Sequence, residues 1–222
     1  AAGAAIGFVS GYIVAKIRIP AFIATYVMGE IAEGIALFIC KGSSIGGMSN
    51  EYIKLGTGKL LGLPYFTWML ITVAVVAALF LKYTRFGKKM YSLGGNELTV
   101  TLEGIDADKV KCITFAMAGF CFALAGILLS AQMNTVTPTQ GANYQLDAVA
   151  ASVIGGVSLL GGEGKIWGAV LGGLMIGAMR NIINLLGVHP FVQNLFVGAV
   201  IVIVVAYSMY NKHKALNASK AF

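Results

Sequence analysis

Six polar residues stand inside or beside long apolar stretches of this chain: Glu30, Glu33, Asp147, Arg180, Asn181 and Asn184. Carboxylates, a guanidinium and amides in an apolar background can relay ions, or hydrogen-bond the hydroxyls of a polar solute. A second group is contiguous. The stretch "GGNELTVTLEGID" (94–106) contains Gly95, Asn96, Glu97, Leu98, Thr99, Leu102, Glu103, Gly104 and Ile105, a polar, helix-like segment between two apolar runs. Other chemistry is poorly served. "GTGKLL" and "GGEGKIW" carry Gly-Lys pairs without the upstream glycine and following Ser/Thr of a phosphate cradle, so ATP hydrolysis is not expected of this chain. The only histidines, His189 and His213, fall in separate loops. Cys40, Cys112 and Cys121 have neither metal-ligand nor disulfide-framework spacing. No pattern calls for a metal or cofactor, and an enzyme is not the expected class.

The elements that must position these residues are membrane spans. Charged residues are 11% of the 222, less than half the roughly 25% of a soluble domain, and 58% are hydrophobic. Apolar runs approach the ~20 residues that cross a bilayer, as in 19–40, 64–81 and 190–210. They lack the alternation of a β-barrel strand. The expected fold is an all-α polytopic transmembrane bundle, a single domain over 1–222. It has about seven crossing segments, roughly 1–15, 19–39, 64–81, 110–130, 145–160, 166–184 and 190–210. The short, Gly-rich 145–160 segment is open to being a broken helix. Pro20, Pro64 and Pro190 stand at segment starts, where a missing N–H costs little. The chain opens in mid-pattern, with no initiating Met or basic n-region, and reads as a continuation of earlier spans instead of a signal peptide.

Alternating the segments across the membrane sorts the cations. Lys16, Arg18, Lys82, Arg85, Lys88, Lys89, Lys109, Lys111, Lys165, Lys212, Lys214 and Lys220 fall on one side; Lys41, Lys54 and Lys59 fall on the other. That bias makes the first side cytoplasmic, with the C-terminal tail and the 82–109 loop inside. The +7 net charge then needs no nucleic-acid partner. Small residues at four-residue spacing, Gly3/Gly7/Gly11, Gly168/Gly172 and Gly173/Gly177, mark close helix contacts in lipid. Glu33 and Arg180 lie at similar depth from the inner ends of their spans, and bare charges there are costly. The expectation is that Glu33 neutralises Arg180. Pathway lining, with Asn181 and Asn184 as hydroxyl partners, and snorkelling of Arg180 are the alternatives.

In the cytoplasmic loop, Gly94 and Gly95 break the chain, Asn96 is a plausible N-cap and Glu97 suits a first turn. Leu98, Leu102 and Ile105 form one apolar stripe on a short helix. Gly104 can end it, and Asp106 can cap the next span. Such a stripe can dock on a cytoplasmic partner, on the protein's own helices or on the membrane surface.

Four stretches then resemble a known family: "IPAFIATYVMGEIAEGIAL", "YSLGGNELTVTLEGIDADKVK", "PTQGANYQLDAVAASVIGGVSLLGGEGKIWGAVLGGLMIGAMRNIINLLGV" and "HPFVQNLFVGAVIV". They are similar to membrane permeases of bacterial ABC importers for ribose and related sugars, with a related branch for branched-chain amino acids. The family often has Arg where this chain has Glu33. The resemblance implies an inner-membrane importer of two permease copies, two cytoplasmic ATP-binding subunits and an extracytoplasmic solute-binding protein. It also implies that Gly95–Ile105 supplies the coupling helix that docks on the ATPase. An ion-gradient-driven transporter, using Glu30, Glu33, Asp147 and Arg180 as a relay, is the rival class.

Overall fold

The computed structural model describes residues 1–159, 161–187, 192, 195, 198–200 and 202. The expected seventh crossing, 190–210, falls largely outside these residues, as do His189 and the tail with Lys212, His213, Lys214 and Lys220. The described elements are almost all helical. The chain divides into two compact units, residues 1–142 and 143–222.

The first unit starts with α1 (Ala2–Ile17) and α2 (Ala21–Cys40). Beyond α2 lie β1 (Ile45–Gly46), α3 (Asn50–Thr57), β2 (Lys59–Leu60) and β3 (Leu63–Pro64). Then come α4 (Tyr65–Tyr83), α5 (Arg85–Gly95), α6 (Glu97–Leu102), α7 (Ala107–Met133) and β4 (Thr135–Val136). Pro20 and Pro64 are the N-cap residues of α2 and α4, as their place in the sequence predicts. The second unit contains α8 (Ala142–Ile154) and α9 (Ile166–Leu185). Among the described helices α2, α4, α7 and α9 are long and apolar enough to cross a bilayer, and α1 is a shorter apolar helix.

At 1.5 Å per residue the 27 residues of α7 reach about 40 Å, beyond a ~30 Å hydrocarbon core. That length spans the hydrocarbon core even when the helix is tilted. The α8 helix is different. With 13 residues it reaches about 20 Å before the chain turns at Gly155 and Gly156 (φ +80°), so the 145–160 segment is no continuous crossing helix.

Glycines set the helix contacts. Gly3, Gly7 and Gly11 of α1 lie against Gly119, Phe115 and Cys112 of α7, in antiparallel order. A Cβ at Gly7 would collide with the Phe115 carbonyl, and one at Gly119 with the Gly3 carbonyl. In the second unit Gly168 faces Gly155, and Gly172 faces the Ala151 carbonyl; Ile176 then packs on Ala150 and Ala151. Of the expected glycine contacts one pair is different: Gly173 and Gly177 meet no described residue within 4 Å. They lie on the face of α9 turned away from α8. Four-residue spacing identifies a face that admits close approach, but not which of two such faces is used.

The segments expected on one side of the membrane also meet. At one end of α7, the Tyr52 hydroxyl is 3.1 Å from the Ile127 carbonyl and 2.6 Å from the Ser130 hydroxyl. There β1 pairs antiparallel with β4, and Ser44 hydrogen-bonds Thr137 at 3.0 Å. These contacts join 41–63 to 131–142. At the other end Lys16 and Asp108 form an ion pair at 3.0 Å.

Adjacent glycines of α9 give a controlled test of the glycine contacts. Gly172→Ala forces a methyl into the Ala151 carbonyl and should cost about 1–3 kcal/mol. Gly173→Ala gains helix propensity without a clash and should be neutral or stabilising by up to about 1 kcal/mol. Unfolding of the two variants in the same detergent compares them directly; equal effects would contradict the α8–α9 packing.

Candidate functional site

The loop helix α6 is short but fully terminated. The Asn96 side-chain carbonyl accepts from the Leu98 and Thr99 amides at 3.0 and 3.2 Å, so Asn96 is the N-cap. At the other end, Gly104 takes φ +79°; its N–H bonds the Thr101 carbonyl, and the Ile105 N–H reaches back to Val100. This pair of bonds is the Schellman arrangement, and it requires the left-handed residue that glycine supplies. Asp106 then caps α7 by accepting from the Lys109 amide at 3.1 Å. That backbone bond, followed by the Lys109 ammonium, holds the Asp106 carboxyl below the usual carboxylate range. The helix α5 continues through Gly95, so the break comes at Asn96 itself and not at the two glycines.

The burial on α6 differs from the expected stripe. Leu98 and Leu102 are 77% and 88% exposed, whereas Val100 is 2% exposed. Ile105 lies beyond the helix, half-buried. Val100 is therefore the anchor, and Leu98 and Leu102 face outward. The helix has only six residues, too few for a stripe that runs from Leu98 to Ile105. The signal for Val100 was present: a Schellman end brings the residue at its position against the residue following the glycine. A second tie is electrostatic. The Glu97 carboxylate meets the Lys111 ammonium on α7 at 2.6 Å, and the Lys111 side chain is only 18% exposed.

Among the six polar residues of the apolar stretches, the structure brings together Asp147 and Arg180. Arg180 Nη2 donates to Asp147 Oδ1 at 2.8 Å. Arg180 Nε lies 2.7 Å from Oδ2 but outside hydrogen-bond geometry, which leaves that buried N–H without an acceptor among the described residues. Their side chains are 25% and 10% exposed. This corrects the expected pairing: the carboxylate on Arg180 is Asp147, and Glu33 takes part in none of the ion pairs among the described residues. The reason is register. With Gly172 on Ala151, one further helical turn in opposite directions puts Ile176 level with Asp147, and Arg180, one turn beyond, reaches back along α9 to the carboxylate. Asn181 and Asn184 follow on exposed positions of α9, while Glu30 (exposed) and Glu33 (half-buried) belong to α2 in the first unit.

Large apolar side chains lie uncovered along every long helix, Phe22, Phe38, Val76, Phe122, Leu171 and Leu174 among them. Lipid is the solvent such a surface requires, and the chain is a multi-pass membrane protein. The family described as branched-chain amino acid transport system / permease component matches residues 1–205, and the chain belongs to it. It is 39% identical over 218 residues to the ribose import permease protein of Haemophilus influenzae, covering 96% of this chain and 68% of that one. To the ribose import permease protein of Escherichia coli K12 it is 42% identical over 209 residues, 92% of this chain and 65% of the relative. The L-arabinose transport system permease protein of E. coli K12 is 35% identical over 207 residues, 93% of this chain and 63% of the relative. The chain thus spans about two thirds of the length of these relatives. No solved structure matches it.

Removing one member of a buried ion pair strands the other, typically at about 3–5 kcal/mol. Arg180→Ala and Asp147→Ala should each lower folded yield and thermal stability in detergent by such an amount. The double substitution, which removes both charges, should be less damaging than either single one. A double variant as unstable as the sum of the singles would show that the two charges are not coupled.

Proposed function

We propose that this chain is the membrane-spanning permease subunit of an ATP-driven importer for a small sugar of the ribose type. Residues 1–222 form its transmembrane domain, and 82–109 form a cytoplasmic loop with the C-terminal tail on the same side. The observation that carries the substrate class is the ranking of relatives: identity to ribose import permeases, 39% and 42%, exceeds that to the L-arabinose permease, 35%. A solute-binding protein outside delivers the sugar, a cytoplasmic ATP-binding subunit supplies the energy, and a second permease copy completes the pathway in the bacterial inner membrane.

The loop helix is the docking element on this reading. Its backbone is capped at both ends and Val100 ties it down, so Leu98 and Leu102 are presented as preformed apolar knobs with little ordering entropy left to lose. Polar neighbours Glu97, Thr99 and Glu103 keep the helix off an anionic lipid surface, where Lys and Arg would be favoured. Glu30, Glu33, Asn181 and Asn184 are candidates for the pathway, where amides and carboxylates match sugar hydroxyls. The Asp147–Arg180 pair braces α8 on α9.

Reconstitution of the full-length permease with its ATP-binding subunit and binding protein tests the reading. Ribose uptake into vesicles should require ATP and persist when ion gradients are collapsed. Leu102→Asp should abolish capture of the ATP-binding subunit while leaving membrane insertion intact, since an unpaired charge in an apolar groove costs a few kcal/mol. Uptake of leucine in place of ribose would move the substrate to the amino acid branch. Normal capture by Leu102→Asp would remove the loop from the docking role.

A further inference from the structure

The connection between α3 and α4 ends in a two-residue hairpin whose tip is a leucine. Leu60 pairs with Leu63 and Lys59 with Pro64, and the turn residues Leu61 and Gly62 have φ +52° and +82°. Two positive φ values in a two-residue loop are the type I′ geometry, which favours Asn-Gly. A leucine there has its Cβ against the following carbonyl. The fold gains nothing visible in return: Leu61 is 85% exposed. Leu60 and Leu63 beside it are 49% and 45% exposed. Strained backbone that presents an uncovered side chain is a reason to look for a ligand.

What covers the tip is indicated by where the hairpin is fixed. Pro64 ends β3 and the next residue, Tyr65, begins the span α4. The Tyr65 amide bonds the Gly58 carbonyl at 2.9 Å, and the Trp68 indole N–H donates to the Leu60 carbonyl at 3.0 Å. These bonds hold the hairpin at the level of the first turn of α4. Tyr65 and Trp68 on that turn are the residue types that gather at a membrane–water boundary. Lys59, at the base of the hairpin, is exposed, and its long stem lets the ammonium reach lipid phosphate.

We propose that the Leu60–Leu63 hairpin is a membrane anchor, with Leu61 inserted among the acyl chains of the leaflet that receives the start of α4. The partner is the bilayer, an apolar phase beneath anionic phosphate. The anchor is continuous with the lipid-facing surface of α4 and fixes the end of that span against vertical movement. It does not depend on which solute the protein carries.

The test places bimane on a single cysteine at position 61 of the full-length permease, with Cys40, Cys112 and Cys121 replaced by Ala. A label at position 60, in ordinary strand backbone, repeats it without disturbing the turn. A third label at Glu51, exposed on α3, serves as the aqueous reference. The protein is reconstituted in phosphatidylcholine–phosphatidylglycerol vesicles, with and without brominated phosphatidylcholine. Labels at 60 and 61 should be quenched by the brominated lipid and show several-fold weaker iodide quenching than the label at 51. Iodide quenching equal to that at 51, with no effect of brominated lipid, would overturn the proposal. Shielding from iodide only when the solute-binding protein is added would also overturn it, and would assign the hairpin to a protein contact.

Discussion

In a bilayer a helix gains little from hiding apolar surface, because lipid tails are as apolar as a neighbouring helix. What holds two spans together is how closely their backbones approach. In this protein that constraint is met by glycine. Gly3, Gly7 and Gly11 bring α1 onto α7 at distances that no side chain at these positions would permit. The rest of the first unit is arranged around α7. At one end it receives α3, through Tyr52 and Ser130. At the other the loop helix is tied to it by the Glu97–Lys111 ion pair.

The same logic organises the second unit with a different consequence. Gly155, Gly168 and Gly172 close α8 on α9, and the resulting register faces Asp147 with Arg180. A charge at this depth is tolerable only with its counterpart, so the seam and the ion pair support each other. Among the described residues Arg180 Nε is close to Asp147 Oδ2 without a well-aligned hydrogen bond, so the pair rests on the Nη2 bond and on charge.

The local chemistry of the loop was legible in the sequence. Asn96, Gly104 and Asp106 do what their types and places predict, because capping is decided within a few residues. The long spans were legible from apolar length, and Gly3, Gly7 and Gly11 from their spacing. Three-dimensional choices were not. Gly173 and Gly177 carry the same spacing as Gly168 and Gly172, yet only the latter pair meets a described helix. Depth suggested Glu33 as the partner of Arg180, and only the register of α8 on α9 brings Asp147 to it. Val100 was overlooked since a three- and four-residue stripe ignores the reversal that Gly104 imposes. Strand β1 was missed because its pairing partner, Thr135–Val136, is distant in sequence, and the β2–β3 hairpin because Leu61 stands where such a turn favours Asn.

The contact between α1 and α7 carries its own reporter. Cys112 is buried where Gly11 crosses α7. With Cys40 and Cys121 replaced by Ala, it is the only thiol. The account predicts that Cys112 resists a small thiol reagent in folded, detergent-solubilised protein, and that Gly7→Ile, which drives a side chain into Phe115, makes it reactive. Rapid labelling of Cys112 in the otherwise native chain, or continued protection in Gly7→Ile, would contradict the claim that glycine contact between these two helices holds the fold.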